Sequence, residues 1–110
     1  MKGTMKALVK YGAAAEETAI QERPIPQIGP DDVLVKVAYI GICGTDPHMH
    51  KNLTNIKVAV PVIFGHEFAG TIAELGANVT GWAIGDRVTV ETHADYCGVC
   101  ELCRTNRYHL

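Results

Sequence analysis

Hydrophobic and polar residues alternate in short runs along this chain, the period-two signature of strands rather than of helices. The clearest run is VLVKVAYIGI at residues 33–42, where Val33, Val35 and Val37 fall on one face and Lys36 on the other. The run MKALVKY at 5–11 alternates weakly, as an edge strand does, and ETAIQER at 17–23 is placed to pair with it across the intervening GAAA turn. Residues 24–32 (PIPQIGPDD) carry three prolines and predict an extended connection. Residues 62–76 (VIFGHEFAGTIAELG) read as one strand with a glycine-flanked His-Glu pair near its start. In residues 85–91 (GDRVTVE), Val88 and Val90 alternate with Arg87, Thr89 and Glu91, which predicts another strand. No stretch of ten or more residues carries helical periodicity, and any helix around 48–57 is expected to be short. The pattern predicts a mainly β fold with irregular loops.

Composition narrows the function classes without choosing among them. The 110 residues suffice for one domain with a modest core, and 47% hydrophobic with 20% charged suits a globular protein. A formal charge of -2 gives no bulk attraction to nucleic acid or anionic lipid, so neither is expected as a partner. No apolar run approaches the length of a membrane span, and the basic amino terminus breaks into Gly and Glu before a signal-peptide core forms. A cytoplasmic, reducing location is the expectation, and there clustered cysteines favour metal over disulfides. Cys97, Cys100 and Cys103 are too close together to staple distant parts of a fold, and Cys43 stands far upstream.

Three constellations carry chemistry. ICGTDPHMH at 42–50 crowds a thiol, a hydroxyl, a carboxylate and two imidazoles just beyond the best strand. Cys43 there has three readings: metal ligand, nucleophile, or small buried side chain. GHEFAG at 65–70 offers His66 and Glu67 between glycines that permit a tight turn or a close backbone approach. Regular β structure would point that pair to opposite faces, so either the backbone is distorted there or one of the two lies behind the other. A solvated surface pair is the plainer alternative. The third is CGVCELC at 97–103, three thiols within seven residues, a pattern that suits a metal. Zinc is the expected ion and an iron site its rival. Arg104 and Arg107 are near enough to offset thiolate charge, or else belong to an ordinary exposed loop.

Taken together these residues resemble the zinc-containing medium-chain dehydrogenases. GHEFAGTIAELGANV at 65–79 matches the zinc alcohol dehydrogenase signature G-H-E-x-x-G-x5-G-x2-V throughout. GICGTDPHMH upstream, GDRV at 85–88 and the cysteine lobe follow in the family's order, so the resemblance spans 5–110. Cys-Gly-Thr-Asp, where liver-type alcohol dehydrogenases have Cys-Arg, is more similar to the polyol, threonine and butanediol dehydrogenases.

The resemblance implies that residues 1–110 are the amino-terminal, incomplete part of a GroES-like β-barrel catalytic domain, with a structural zinc lobe at about 93–110. A Rossmann domain binding NAD or NADP is expected downstream, since no G-x-G-x-x-G fingerprint occurs here. By the same resemblance Cys43 and His66 are catalytic zinc ligands. Glu67 is a third ligand or a carboxylate exchanging with water, and a further ligand is expected beyond Leu110. Thr45 would set its hydroxyl against the alcohol oxygen. His48 would pass the proton to solvent through the cofactor ribose, and Asp46 would orient His66. Zinc held by a thiolate and a neutral imidazole keeps a position open and stabilises an alkoxide at neutral pH, which suits hydride loss from an alcohol carbon. His50 and His93 are expected as surface histidines. In the family the lobe reads C-x2-C-x2-C-x7-C, which puts a fourth cysteine immediately after Leu110, with His109 as a substitute. The expected activity is oxidation of a secondary alcohol, a polyol or threonine, by a homodimer or homotetramer when full length, with this chain inactive alone. The alternative is a stand-alone zinc module that mediates protein contacts.

Overall fold

The computed structural model describes residues 2–53, 58–92 and 97–107. In chain order they form β1 (Thr4–Lys10), β2 (Thr18–Pro24), β3 (Val33–Ile40), α1 (Thr45–His50), β4 (Val62–Ile63), β5 (Phe68–Leu75), β6 (Arg87–Thr89) and α2 (Glu101–Arg104). The strands make two three-stranded antiparallel sheets, ordered β2-β1-β4 and β3-β5-β6. A mainly β fold with short helices is what the alternating pattern predicts.

β1 and β2 pair over their full length, from Thr4↔Pro24 to Lys10↔Thr18. β1 is nevertheless the central strand of its sheet, not the edge that its weak alternation predicts, because β4 pairs with its other side at Val9 and Lys10. The weak alternation has a physical source. Val9 and Lys10 point to opposite faces, yet each is only 1% exposed. The turn between β1 and β2 folds over the lysine, whose Nζ donates to the Ala14 carbonyl at 2.9 Å. Ala7, Phe64 and Ile72 join Val9 as the buried apolar core.

β3 and β5 pair from Val33↔Leu75 to Ile40↔Phe68, with irregularities between Leu34 and Val35 and between Val37 and Tyr39. These bulges interrupt the strict alternation expected of Val33, Val35 and Val37. Val33 and Val35 are half-buried while Val37 is 49% exposed. Gly70 fits this strand pair because a Cβ there would run into the Lys36 carbonyl.

The single strand expected at 62–76 is broken in two. Gly65 adopts φ +112, a conformation that L side chains rarely adopt, and the chain passes from β4 in one sheet to β5 in the other. His66 and Glu67 sit in that crossing, outside regular β structure. The expected strand at 85–91 shrinks to three residues of β6. α1 begins at Thr45, earlier than the helix expected around 48–57, and residues 54–57 of that interval lie outside the described residues. α2 has no counterpart in the pattern, since its four residues are too few to show a period. Among the described residues no helix is long and apolar enough to cross a membrane.

Candidate metal centres

The first cluster forms where β3 and β5 part. Beyond their last registered pair, the Gly41 N–H still donates to the Glu67 carbonyl at 2.6 Å. The two chains then diverge, one through Cys43 into α1 and the other back through His66 toward Gly65. Ligand atoms of Cys43, His66 and Glu67 all lie within 4.8 Å of one another. The break at Gly65 is what lets neighbouring residues 66 and 67 serve one side.

α1 starts on a turn closed from both ends. The Asp46 N–H donates to the Cys43 carbonyl and the Cys43 N–H donates to Asp46 Oδ2, each at 3.0 Å. Pro47 falls in the first turn, where its missing N–H leaves no helical bond unmade. Asp46, Met49 and His50 are half-buried, whereas Thr45 and His48, three residues apart and so on one face, are exposed. Asp46 Oδ1 stands 3.9 Å from His66 Nδ1, a charge contact longer than a hydrogen bond.

The Thr45 backbone N–H, then its hydroxyl, then the His66 ring pull the Cys43 thiol below its ordinary pKa, against burial and the Glu67 charge. His66 is pushed up, chiefly by its hydrogen bond to Cys43, with the charges of Asp46, Cys43 and Glu67 adding and burial opposing. A thiol poised to ionise beside two carboxylates, with the imidazole drawn toward its cationic form, marks a site that favours positive charge. Sulfur, nitrogen and oxygen donors so close together fit a zinc ion.

The second cluster is local to the cysteine lobe. Cys97, Cys100 and Cys103 bring their sulfurs within 4.8 Å of one another, and those of Cys97 and Cys103 are 3.8 Å apart. Two thiolates at about 2.3 Å from a tetrahedral zinc would stand about 3.8 Å apart, so this separation fits the ion. The Cys100 N–H donates to Cys97 Sγ at 3.3 Å, and the Cys103 N–H to Cys100 Sγ at 3.5 Å, where the latter sulfur also caps α2. The Val99 N–H first, then the Cys100 N–H and the other two thiols, bring the Cys97 pKa down to about 7. For Cys103 the Gly98 N–H pulls downward, but burial and the neighbouring Cys100 and Cys97 outweigh it and the pKa is raised. Arg107 pairs with Glu101 at 3.7 Å and its Nε donates to Thr105 Oγ1 at 3.0 Å. His93 and His109 lie outside the described residues, as do parts of the lobe expected at about 93–110.

One contact corrects an expectation. His50 is not a free surface histidine: it is half-buried, and its Nδ1 lies 2.6 Å from Thr18 Oγ1 on β2. No local pattern could reveal it, because the partner is 32 residues away. Beside the first cluster, Tyr39, Ile40, Glu67, Phe68, Thr89 and Thr92 border an open groove of about 500 Å3.

A β domain with one mixed Cys-His-Glu cluster and one all-thiol lobe defines a candidate two-centre metal protein. Residues 29–110 match the Alcohol dehydrogenase GroES-like domain, and the chain belongs to that family. It is 47% identical over 106 residues to a sorbitol dehydrogenase of Halalkalibacterium halodurans, covering 96% of this chain and 30% of that protein. It is 47% identical over 113 residues to an L-threonine 3-dehydrogenase of Mesorhizobium japonicum, covering 100% of this chain and 32% of that protein. The cobalt- and zinc-bound thermostable alcohol dehydrogenase from Pyrobaculum aerophilum superposes with a TM-score of 0.85 at 32% identity, over 98% of this chain and 32% of that one. The chain thus spans about a third of the length of the curated relatives it matches. The mainly β, GroES-like fold with its cysteine cluster agrees with the fold expected from the resemblance.

Proposed function

We propose that this chain is the amino-terminal part of the catalytic domain of a zinc-dependent dehydrogenase that oxidises a secondary alcohol, a polyol or threonine with NAD or NADP as acceptor. The observation that carries this reading is the convergence of Cys43, His66 and Glu67 within 4.8 Å beside an open groove. Cys43 and His66 would hold the catalytic zinc, with Glu67 as a third ligand or as a carboxylate that exchanges with water on the metal. Asp46 steadies this set by binding the Cys43 N–H and facing His66. Cys97, Cys100 and Cys103 hold a second, structural zinc in a lobe of about 93–110.

Zinc in the first centre supplies a Lewis acid that lowers the pKa of an alcohol hydroxyl, and a nicotinamide supplies the hydride acceptor. This chain's own groups handle the proton. The Thr45 hydroxyl would accept it from the alcohol oxygen, and His48, on the same face of α1, would pass it on toward solvent. Oxidation of the alcohol to a carbonyl would give one hydride to the nicotinamide and one proton to this chain's own groups. The groove beside Glu67 forms one wall of the alcohol site.

The test is turnover of the zinc-loaded full-length protein, followed by the absorbance of reduced nicotinamide, with sorbitol, other polyols, butanediol and threonine. Alcohol-dependent reduction that is abolished by a chelator and restored by zinc is the expected result. No reduction with any of these alcohols and either nicotinamide would overturn the reading.

A further inference from the structure

The helix that carries Thr45, Asp46 and His48 is short, and a six-residue helix is not stable by itself. Something outside it must fix its direction. At its start the helix is tied to Cys43 by the paired Asp46 bonds. At its end it is tied to the hairpin of β1 and β2 by three contacts. Thr18 Oγ1 meets His50 Nδ1 at 2.6 Å, the Glu16 N–H donates to the His50 carbonyl at 2.6 Å, and Asn52 Nδ2 donates to the Ala13 carbonyl at 2.8 Å. The carbonyl bond satisfies one of the acceptors that a helix end leaves without a partner.

The hairpin turn that receives these contacts is itself held. Buried Lys10 donates to the Ala14 carbonyl at 2.9 Å, Glu17 Oε1 accepts the Ala14 N–H at 3.0 Å, and the Tyr11 N–H donates to the Glu17 carbonyl at 3.0 Å. The end of α1 therefore rests on an ordered surface of the other sheet. Of the three contacts, only the Thr18–His50 pair joins two side chains.

We propose that His50 is a positioning residue: through Thr18 it clamps α1 so that Thr45 and His48 meet the Cys43–His66–Glu67 cluster in one orientation. The proposal rests on the dehydrogenase reading for its effect on turnover, but not for the clamp itself. Neither Thr18 nor His50 is a candidate ligand, so loosening the clamp should leave zinc in place and disturb only the geometry of the proton path. Misplacing catalytic groups by about 1 Å can lower turnover on the order of a hundredfold.

The experiment compares Thr18→Val, His50→Ala and His50→Asn in the zinc-loaded full-length protein. The asparagine places an amide atom near the former Nδ1, so it can keep the bond to Thr18. The expected result is full zinc content in all three. For Thr18→Val and His50→Ala, kcat should fall about tenfold or more with little change in the nicotinamide KM, and His50→Asn should restore most of it. The double variant Thr18→Val with His50→Ala should be no worse than the more damaging single change. A second readout is independent of turnover. Hydrogen exchange at the Lys51 and Leu53 amides, which bond back into α1, should quicken in Thr18→Val and His50→Ala and return toward wild type in His50→Asn. Unchanged kcat and exchange in Thr18→Val, or additive effects in the double variant, would overturn the proposal. Should His50→Ala fail to fold, Thr18→Val decides alone. If the wild-type protein oxidises no alcohol, the dehydrogenase reading fails, and the exchange rates then uphold or overturn the clamp by themselves.

Discussion

Asp46 binds the backbone of Cys43, its Oδ2 accepting the Cys43 N–H at 3.0 Å while Oδ1 faces His66 Nδ1 at 3.9 Å. One carboxylate therefore contacts both of the residues proposed as principal zinc ligands. Asp46→Asn keeps an acceptor for the Cys43 amide but removes the charge facing His66. We expect zinc affinity at the first centre to fall about 10- to 100-fold, measured by competition with a chromophoric chelator, with the lobe unaffected. Unaltered affinity would show that the carboxylate only shapes the turn.

Cys43→Ser tests the cluster more directly. The hydroxyl is a far poorer zinc donor than the thiolate, while Cys97, Cys100 and Cys103 lie in a separate segment. Metal analysis of the full-length protein should show the first zinc lost and the lobe's zinc kept, with alcohol oxidation abolished. Wild-type activity in this variant would remove Cys43 from the mechanism.

What the sequence discloses about this site follows from how local each feature is. The approach of the three lobe sulfurs follows from the spacing of Cys97, Cys100 and Cys103, and backbone amides inside that segment hold them there. The conflict between adjacent His66 and Glu67 is readable too, because period-two geometry forbids both on one face and Gly65 supplies the break. Long-range pairing is not readable in this way. β1 is central only because two residues of β4, more than fifty positions later, come to lie against it. The bulges in β3 depend on β5, and the Thr18–His50 contact depends on how the hairpin meets α1. A period-two pattern fixes faces, not neighbours.

Thr45 lowers the Cys43 thiol pKa through both its amide and its hydroxyl, so its substitution bears on two functions at once. Thr45→Ala keeps the amide and loses the hydroxyl. Zinc should be retained and kcat should fall about a hundredfold or more, the scale of a lost proton-transfer group. Thr45→Ser should recover most of the rate, and an unchanged kcat in the alanine variant would argue against the relay.

Gly70 tests the packing that sets the middle of β3 against β5. An alanine Cβ would press on the Lys36 carbonyl, which is backbone and cannot swing aside. Gly70→Ala should destabilise the protein by about 1–3 kcal/mol, the usual cost of overpacking. Thermal unfolding should then show a Tm several degrees lower. An unshifted Tm would mean that the bulges in β3 relax more readily than their geometry implies.

The lobe makes a prediction about pH. Cys97 is pulled from an ordinary thiol value of 9.0 to about 7, chiefly by the Val99 N–H, whereas the net effect on Cys103 is upward. Because the folded value for Cys97 lies below the unfolded one, contacts to its thiolate favour the folded lobe fully above about pH 9, and that contribution is lost as the pH falls through about 7. In chelator-treated protein, iodoacetamide should therefore label Cys97 half-maximally near pH 7 and Cys103 only at distinctly higher pH. Peptide mapping by mass spectrometry separates the two, and added zinc should protect both. Labelling of Cys103 at lower pH than Cys97 would mean that the lobe's amides favour the other thiolate.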